Sequence, residues 1–503
     1  MGIIMRLQEL VTKLDYSLMS GSVDTEVTGI TPDSRAVVPG GLFIAIKGAM
    51  SDGHQYVKSA IEKGASSIII QDGFEACLEE VPEDITVLKT NDTRLALAYA
   101  SASFYGNPAD KLFTIGITGT KGKTTTTYMI KSVLESCGIK TGLIGTIETI
   151  IGDTSIPAKN TTPESIKIHE SFAKMVEAGC RAVVMEVSSQ GLKLHRTAGI
   201  TFDIGVFTNL ALDHVGPDEH DSFQEYMECK AKLFSQCRLG IVNGDDEHVE
   251  DIIKGCTCSI ERFGLNPAND IYASCVNLFH ERGRIGLTYQ CNGLCSFPVE
   301  VNLPGLFTVY NSLCAIAVTR HLDVQEEHIK QALLSVKVKG RMELVKVSDR
   351  FSVMIDYAHN AMALESILAD LRQYRPNRLI CVFGCGGNRS KDRRFDMGKI
   401  SGDMADFTVI TSDNPRYENP EDIINDIESA VIKTGGKYVR ITDRGEAIKY
   451  AISIGQPGDI IIIAGKGHED YQEIQGVRYP MDERTLVSDA VKALKEEGVE
   501  GLI

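Results

Sequence analysis

One stretch limits what this chain can fold into more than any other: Leu112-Phe113-Thr114-Ile115-Gly116-Ile117-Thr118-Gly119-Thr120-Lys121-Gly122-Lys123-Thr124-Thr125. Its first half is apolar and β-branched and reads as a buried strand. Its second half is a loop punctuated by glycine. Beyond it, Met129, Ile130, Val133, Leu134 and Cys137 fall on one helical face, with Gly138 as the stop. Strand, glycine-rich loop and helix make a phosphate-binding layout: the glycines turn backbone N–H groups inward, and the helix N-terminus favours negative charge. In such a layout Lys123 gives a point charge to the terminal phosphates, and the Thr124 hydroxyl can ligand Mg²⁺. The strict P-loop spacing wants glycine where this chain has Ile117; its glycines stand at 116, 119 and 122. The alternative is an ordinary turn, which Gly122-Lys123-Thr124-Thr125 at a strand-to-helix junction argues against.

A chain of 503 residues is too long for one core, so it divides into domains, expected at 1–108, 109–337 and 338–503. The net charge of −16 argues against nucleic acid as the partner. The longest apolar runs, such as Ile460 to Ala464, are far too short to span a membrane. With no secretory signal visible, the expected location is the cytoplasm. The thirteen cysteines are scattered, and the nearest pairs, Cys256/Cys258 and Cys381/Cys385, read as reduced thiols.

The first segment reads as a small α/β unit, with strands at 42–46 and 67–70 and a helix from Gln55 to Lys63. Asp33-Ser34-Arg35 reads there as an Asx-turn. In the second segment Thr162 and Pro163 read as the N-cap and first residue of a helix ending at Gly179. Ala182 to Val187 is a buried-strand pattern interrupted by Glu186, a carboxylate that must be paired or metal-bound. A strand at 204–207 leads to Asp213-His214. Alternating strands and helices imply a mostly parallel sheet, with ligands at the carboxyl ends of its strands. The third segment repeats the pattern with strands at 351–355, 379–383, 407–411 and 460–464. Loops 384–389, 412–416 and 465–469 then share one sheet edge, and their mixed charges suit a zwitterionic ligand.

Together these motifs resemble the Mur ligases, the ATP-dependent amino-acid-adding enzymes of peptidoglycan precursor synthesis, and among them the diaminopimelate-adding type. Thr118 to Thr125 resembles the family's ATP loop, which is shared with folylpolyglutamate synthetases. Asn160-Thr161-Thr162-Pro163, Glu186-Val187-Ser188-Ser189, Asp213-His214, Asp413-Asn414-Pro415-Arg416 and Gly465-Lys466-Gly467-His468-Glu469 narrow the likeness. The resemblance implies a three-domain α/β architecture: a central P-loop-like ATPase domain with a mostly parallel sheet, and a Rossmann-like C-terminal domain.

It also implies roles. Gly119, Thr120, Lys121, Gly122, Lys123, Thr124 and Thr125 would hold ATP, with Asn311, Arg341 and Asp356 at the adenosine and the link between domains. Ser34, Asn160, Thr161, Thr162, Ser188 and Arg196 would hold UDP-N-acetylmuramoyl-L-alanyl-D-glutamate. Arg389, Asp413, Asn414, Pro415, Arg416, Gly465 and Glu469 would hold meso-diaminopimelate. Thr124, Glu186, His214 and Lys230 would surround Mg²⁺, with Lys230 carbamylated; by pattern alone Lys230 reads as a surface lysine on a helix. Lys123, Glu186, His214 and Lys230 would be catalytic, in a monomer. Three positions depart from the family pattern: Lys121 replaces the usual Asn, Leu194 stands where some members have Gln, and Asn360-Ala361-Met362 replaces Thr-Pro-Asp. The last leaves open an ATP-binding regulatory homologue without ligation; within the family, a lysine-adding ligase is the other alternative.

Overall fold

In the computed structural model the apolar run before the glycine-rich loop is a strand, Phe113–Thr118, buried from Thr114 onward. The described residues are 4–48, 51–79, 81–212, 216 and 219–503. The strand lies between Ala182–Glu186 and Phe202–Phe207, parallel to both. Thr141–Ile144 extends this parallel sheet on one side, and Cys237–Asn243 and Ser259–Gly264 on the other. An antiparallel hairpin, Glu148–Ile151 and Thr154–Pro157, edges it. In the register Glu186 lies opposite Ile117, and Phe207 opposite Thr118. Three strands therefore end level with one another, and whatever follows each of them meets at one edge.

Helix Lys123–Ser136 follows the loop with Met129, Ile130, Val133 and Leu134 buried; Gly138, at φ +82°, ends it. Helix Ser165–Glu177 buries Ile168, Phe172 and Met175 against Ile144, Val183 and Met185. A Cβ on Gly142 would lie 2.3 Å from the Met175 sulfur, so glycine there lets helix and sheet approach. The N-terminal module has its own sheet, in the order Ser17–Ser20, Thr86–Thr90, Ala65–Gln71, Gly41–Ile44, Ile30–Thr31. Its helix is shorter than the sequence spacing predicts, Val57–Glu62, because Gly53–Tyr56 forms a 3-10 turn capped by Asp52.

These elements belong to one compact unit, Met1–Phe263 with Ala317–Leu322; the second unit is Gly264–Ile316 with Asp323–Ile503. The second unit holds a six-stranded sheet ordered Glu343–Val345, Ser352–Asp356, Ile460–Ala464, Leu379–Phe383, Phe407–Ile410, Tyr438–Arg440. All its pairings are parallel except the first. Loops 384–389, 412–416 and 465–469 leave the carboxyl ends of three adjacent strands, as the alternation implied. It also holds three antiparallel strands, Ile271–Glu281, Arg284–Gly293 and Phe297–Val301. None of the thirteen cysteines is in a disulfide; the Cys237 and Cys258 sulfurs approach to 3.7 Å. Among the described residues no helix is long and apolar enough to cross a membrane.

One core residue gives the fold a pH signature. His169, on helix Ser165–Glu177, is fully buried beside the Phe172 ring, and burial drives its pKa down to about 4. In the unfolded chain it titrates near 6.5. The folded pKa is the lower one, so below about pH 6.5 the unfolded chain takes up a proton that the fold refuses. Stability therefore falls as pH drops from about 6.5 toward 4. The loss amounts to about 2 kcal/mol between pH 8 and pH 5. His169→Phe keeps the ring and removes the titration. Urea unfolding followed by circular dichroism should show a shallower acid-side slope for the variant; equal slopes would refute the assignment.

Candidate active site

The glycine-rich loop is fastened by its neighbours. Gly119 has φ +147°, and a Cβ there would lie 1.9 Å from Thr208 Oγ1, so no side chain fits. Gly122, at φ +86°, precedes the first turn of the helix. Thr120 N–H donates to the Asn209 carbonyl at 2.8 Å and Lys121 N–H to Asn209 Oδ1 at 2.9 Å. Thr208 Oγ1 and Asn209 Nδ2 donate back to the Lys121 carbonyl at 2.7 and 3.0 Å. The Thr120 hydroxyl lies 3.0 Å from the Tyr226 hydroxyl. The loop grips Lys121 by its backbone while the side chain is exposed, so lysine at this position leaves the fastening intact.

Glu186 ends its strand with 1% of its surface exposed. Its carboxylate accepts from Thr124 Oγ1 at 3.1 Å, Thr146 N–H at 2.9 Å and Thr146 Oγ1 at 2.9 Å. Three donors meet the requirement that a carboxylate in an apolar strand be paired. Lys123 Nζ donates to the Gly119 and Thr120 carbonyls at 2.7 and 3.0 Å. Lys230 overturns the expectation of a surface lysine. It lies on helix Phe223–Ala231 with 1% exposure, because the face bearing Tyr226 and Met227 turns into the core. Its Nζ sits 4.3 Å from the centre of the Tyr226 ring and donates to the Gly119 carbonyl at 2.8 Å. Two amines thus share one carbonyl oxygen. Asp213 and His214 lie outside the described residues.

Thr162 is not the helix N-cap. Glu164 holds that place and the helix begins at Ser165, because the Thr162 hydroxyl is used elsewhere. It donates to the Glu186 carbonyl and accepts from Ser188 N–H, both at 2.9 Å. Arg196 donates to the Thr162 carbonyl at 2.9 Å and pairs with Glu164 at 2.6 Å. Thr161 Oγ1 meets Thr146 Oγ1 at 3.1 Å, so the 161–164 segment, Ser188 and Arg196 gather around the Glu186 strand end. Asn160 is exposed nearby in sequence. Ser34 is buried on the N-terminal sheet module in an Asx-turn, as read, with Asp33 Oδ1 accepting from Arg35 N–H at 2.9 Å. His220, Glu225 and Cys229 bring nitrogen, oxygen and sulfur within 4.8 Å of one another. The Glu225 carboxylate is already engaged by Lys193 and by Asp221 N–H, each at 2.8 Å.

In the second unit the 412–416 and 465–469 loops interlock. Asn414 Nδ2 donates to Glu469 Oε2, and the fully buried Lys466 donates to Asn414 Oδ1 and Glu469 Oε2, all at 2.9 Å. Asp413 Oδ1 accepts from Asn414 N–H at 2.6 Å, and a Cβ on Gly465 would lie 2.8 Å from Asp413 Oδ2. Arg416 donates to the Gly387 carbonyl at 2.7 Å and lies 3.6 Å from Glu473. Arg389 is exposed. Arg341 stacks 5.1 Å over the Tyr357 ring. Its charge opposes the burial that pushes the Asp356 carboxyl up. Asp356 accepts from Met342 N–H at 2.7 Å and Ala358 N–H at 2.8 Å. Burial and the charges of Arg341, Lys339 and Arg484 hold the His468 pKa near 4, which leaves its imidazole neutral at pH 7. Asn311 is buried on helix Phe307–Thr319.

Comparison with known proteins matches this geometry to one family. Residues 26–105 match the Mur ligase family catalytic domain, 117–319 the Mur ligase middle domain, and 340–467 the Mur ligase glutamate ligase domain. The chain is 42% identical over 495 residues to the UDP-N-acetylmuramoyl-L-alanyl-D-glutamate–2,6-diaminopimelate ligase of Clostridium perfringens (97% of this chain, 100% of the relative). The chain belongs to the Mur ligase family. A relative of the same name from Caldanaerobacter subterraneus is 42% identical over 486 residues, 96% of this chain and 98% of its own. A solved structure of a ligase so named superposes with a TM-score of 0.73 at 29% identity, covering 98% of this chain and 100% of that one. The fold is the three-domain Mur ligase fold, and the protein is an ATP-dependent amide ligase.

Several residues of this ligase escaped the sequence reading. Thr146, Thr208 and Tyr226 join the networks through isolated polar side chains near strand ends and on a helix, which no spacing marks; Lys466 reads in the sequence only as part of its motif, without a role of its own. Arg444 and Glu483, both buried, do so at helix starts: Arg444 bonds the Ser412 and Ala464 carbonyls and Glu483. At the Asn360-Ala361-Met362 departure the helix start keeps its cap. Asn360 Oδ1 accepts from Ala363 N–H at 2.9 Å and caps helix Ala361–Arg372, which asparagine does as well as threonine.

Proposed function

We propose that this ligase adds meso-diaminopimelate to the D-Glu carboxylate of UDP-N-acetylmuramoyl-L-alanyl-D-glutamate, in peptidoglycan precursor synthesis, as a cytoplasmic monomer. Its domains run 1–108, 109–337 and 338–503, boundaries that the family segments at 26–105, 117–319 and 340–467 favour. The observation that supports the substrate reading is the interlocked pair of loops: one carries Arg416 two residues after Asn414, and the other carries Glu469, which Asn414 and Lys466 hold. A cation and a carboxylate on adjacent loops fit an amino acid whose far end carries both charges. The names of the full-length relatives agree.

A carboxylate is a poor acyl donor, so the reaction first phosphorylates it with ATP to an acyl phosphate; amine attack then expels phosphate. In this reading Gly119 to Thr125 and the first turn of helix Lys123–Ser136 cradle the phosphates with backbone N–H groups. Lys123 exchanges its two carbonyl partners for phosphate oxygens and offsets charge on the transferring group. Asn160, Thr161, Thr162, Ser188 and Arg196 hold the dipeptide end of the nucleotide sugar, and Ser34 its UDP end. Asn311, Arg341 and Asp356 serve the adenosine. Asp413, Asn414, Pro415, Gly465 and Glu469 hold the incoming amino acid, with Arg389 as a further contact.

The donors near the loop fit a hard cation: the Thr124 hydroxyl and the Glu186 carboxylate converge within hydrogen-bond distance. Mg²⁺ held by Thr124, Glu186, His214 and Lys230 would neutralise phosphate charge when bound. An ammonium on Lys230 is no ligand, and beside Lys123 it would be repelled. Carbamylation of Lys230 turns that repulsion into attraction and supplies an oxygen donor. Lys230→Ala should lose activity, and acetate, which replaces the carbamate oxygens, should partly restore it. Full activity in Lys230→Ala would reject this role.

The amino-acid assignment rests on Arg416. Guanidinium matches carboxylate as a bidentate fork, and diaminopimelate differs from lysine by one distal carboxylate. Removing such an arginine costs about 2–5 kcal/mol, so Arg416→Ala should lower diaminopimelate use roughly 30-fold to several thousand-fold. KM for ATP and for the UDP-dipeptide should stay near the unmodified values. Unchanged diaminopimelate kinetics in this variant would contradict the assignment.

A further inference from the structure

The hairpin Tyr471–Ile474 and Val477–Pro480 follows the Gly465-to-Glu469 loop, and its first strand lies along residues 412–416. We infer that this hairpin is a brace that fixes the selective loop. Gln472 and Glu473 are then positioning residues for discrimination at the distal carboxylate, an inference that rests on assigning the 413–416 loop to the amino acid. Gln472 Nε2 donates to the Asp413 carbonyl at 2.7 Å and to Ser412 Oγ at 3.3 Å. Glu473 N–H donates to Asn414 Oδ1 at 2.9 Å. Arg416 N–H donates to the Glu473 carbonyl at 2.9 Å, and Gln475 N–H to the Arg416 carbonyl at 2.7 Å. Ser412, Asp413, Asn414 and Arg416 are thus each bonded to the hairpin.

The backbone of Arg416 supports this. It has φ +53°, a left-handed conformation uncommon for a non-glycine residue, and both its N–H and its carbonyl are bonded to the hairpin. Gln475, at φ +49°, and Gly476 form the hairpin's own two-residue turn. A two-stranded hairpin is marginal by itself, so loop and hairpin order each other. The result is a guanidinium held on two sides. Nη1 is on the Gly387 carbonyl, and Nε lies 3.6 Å from the Glu473 carboxylate. Among the described residues Nη2 makes no hydrogen bond, and neither does Glu469 Oε1, whose partner oxygen is taken by Asn414 and Lys466. The brace thus leaves one corner of Arg416 and one oxygen of Glu469 without a protein hydrogen bond among these residues.

The test compares unmodified enzyme, Gln472→Ala and Arg416→Ala, each assayed with meso-diaminopimelate and with L-lysine at saturating ATP and UDP-dipeptide. Gln472→Ala should lower the ratio of kcat/KM for diaminopimelate over lysine at least tenfold, mainly through the diaminopimelate KM. The melting temperature and the KM for ATP should hold. A ratio retained within twofold, or a fall in kcat shared by both amino acids, overturns the brace. If Gln472→Ala proves unstable, Glu473→Gln keeps the backbone bonds and removes the charge beside Nε, and it is judged on the same ratio. Arg416→Ala separates the two levels. If it leaves the ratio unchanged, the substrate reading fails; if it collapses the ratio while the brace variants do not, only the brace fails.

Discussion

Glu186 is the group on which the first unit depends. A carboxylate removed from water must be paired, or it costs several kcal/mol. This one ends a strand in the middle of a parallel sheet and satisfies the demand with donors from two other segments, Thr124 and Thr146. Its own backbone carbonyl takes the Thr162 hydroxyl. One buried residue therefore ties the first turn of the loop helix, the turn after Thr141–Ile144 and the 161–164 segment to one point. Room for it is built in: a Cβ on Gly145 would lie 2.5 Å from Glu186 Oε1.

The second unit solves the same problem with cations. Arg444, almost fully buried, bonds the carbonyls of Ser412, just past strand Phe407–Ile410, and Ala464, at the end of Ile460–Ala464, two strands that flank Leu379–Phe383, and is neutralised by Glu483. Lys466 bridges the loops that follow those strands. In both units the carboxyl edge of a parallel sheet gathers loops, and a buried charge fixes their spacing. Such groups are strained investments, since removing one partner of a buried pair typically costs about 3–5 kcal/mol. Their use here is geometric, holding polar side chains steady for substrates that carry phosphate, carboxylate and ammonium.

The repeating strand-and-helix pattern made the parallel sheets legible in the sequence. Leu379–Phe383 and Ile460–Ala464 coincide with the apolar runs, and the glycine-rich loop sits at its strand end. What stayed hidden depends on contacts far apart in the chain. Thr162 looks like a helix cap because a cap is a local matter; its bond to the Glu186 carbonyl crosses 24 residues. Lys230 looks like a surface lysine because helix periodicity does not say that Tyr226 will face the phosphate loop. Gln472 and Glu473 look like an ordinary polar strand, since only the fold brings them against Arg416.

The central claim, that this ligase selects an amino acid with a distal carboxylate, meets its most direct test in a competition. Unmodified enzyme is supplied with ATP, Mg²⁺, UDP-N-acetylmuramoyl-L-alanyl-D-glutamate and equal amounts of meso-diaminopimelate and L-lysine, and the nucleotide product is weighed. The account predicts a product mass larger by one diaminopimelate residue, formed with one ADP per amide. A product carrying mainly lysine, or ADP released without any amide, would contradict it.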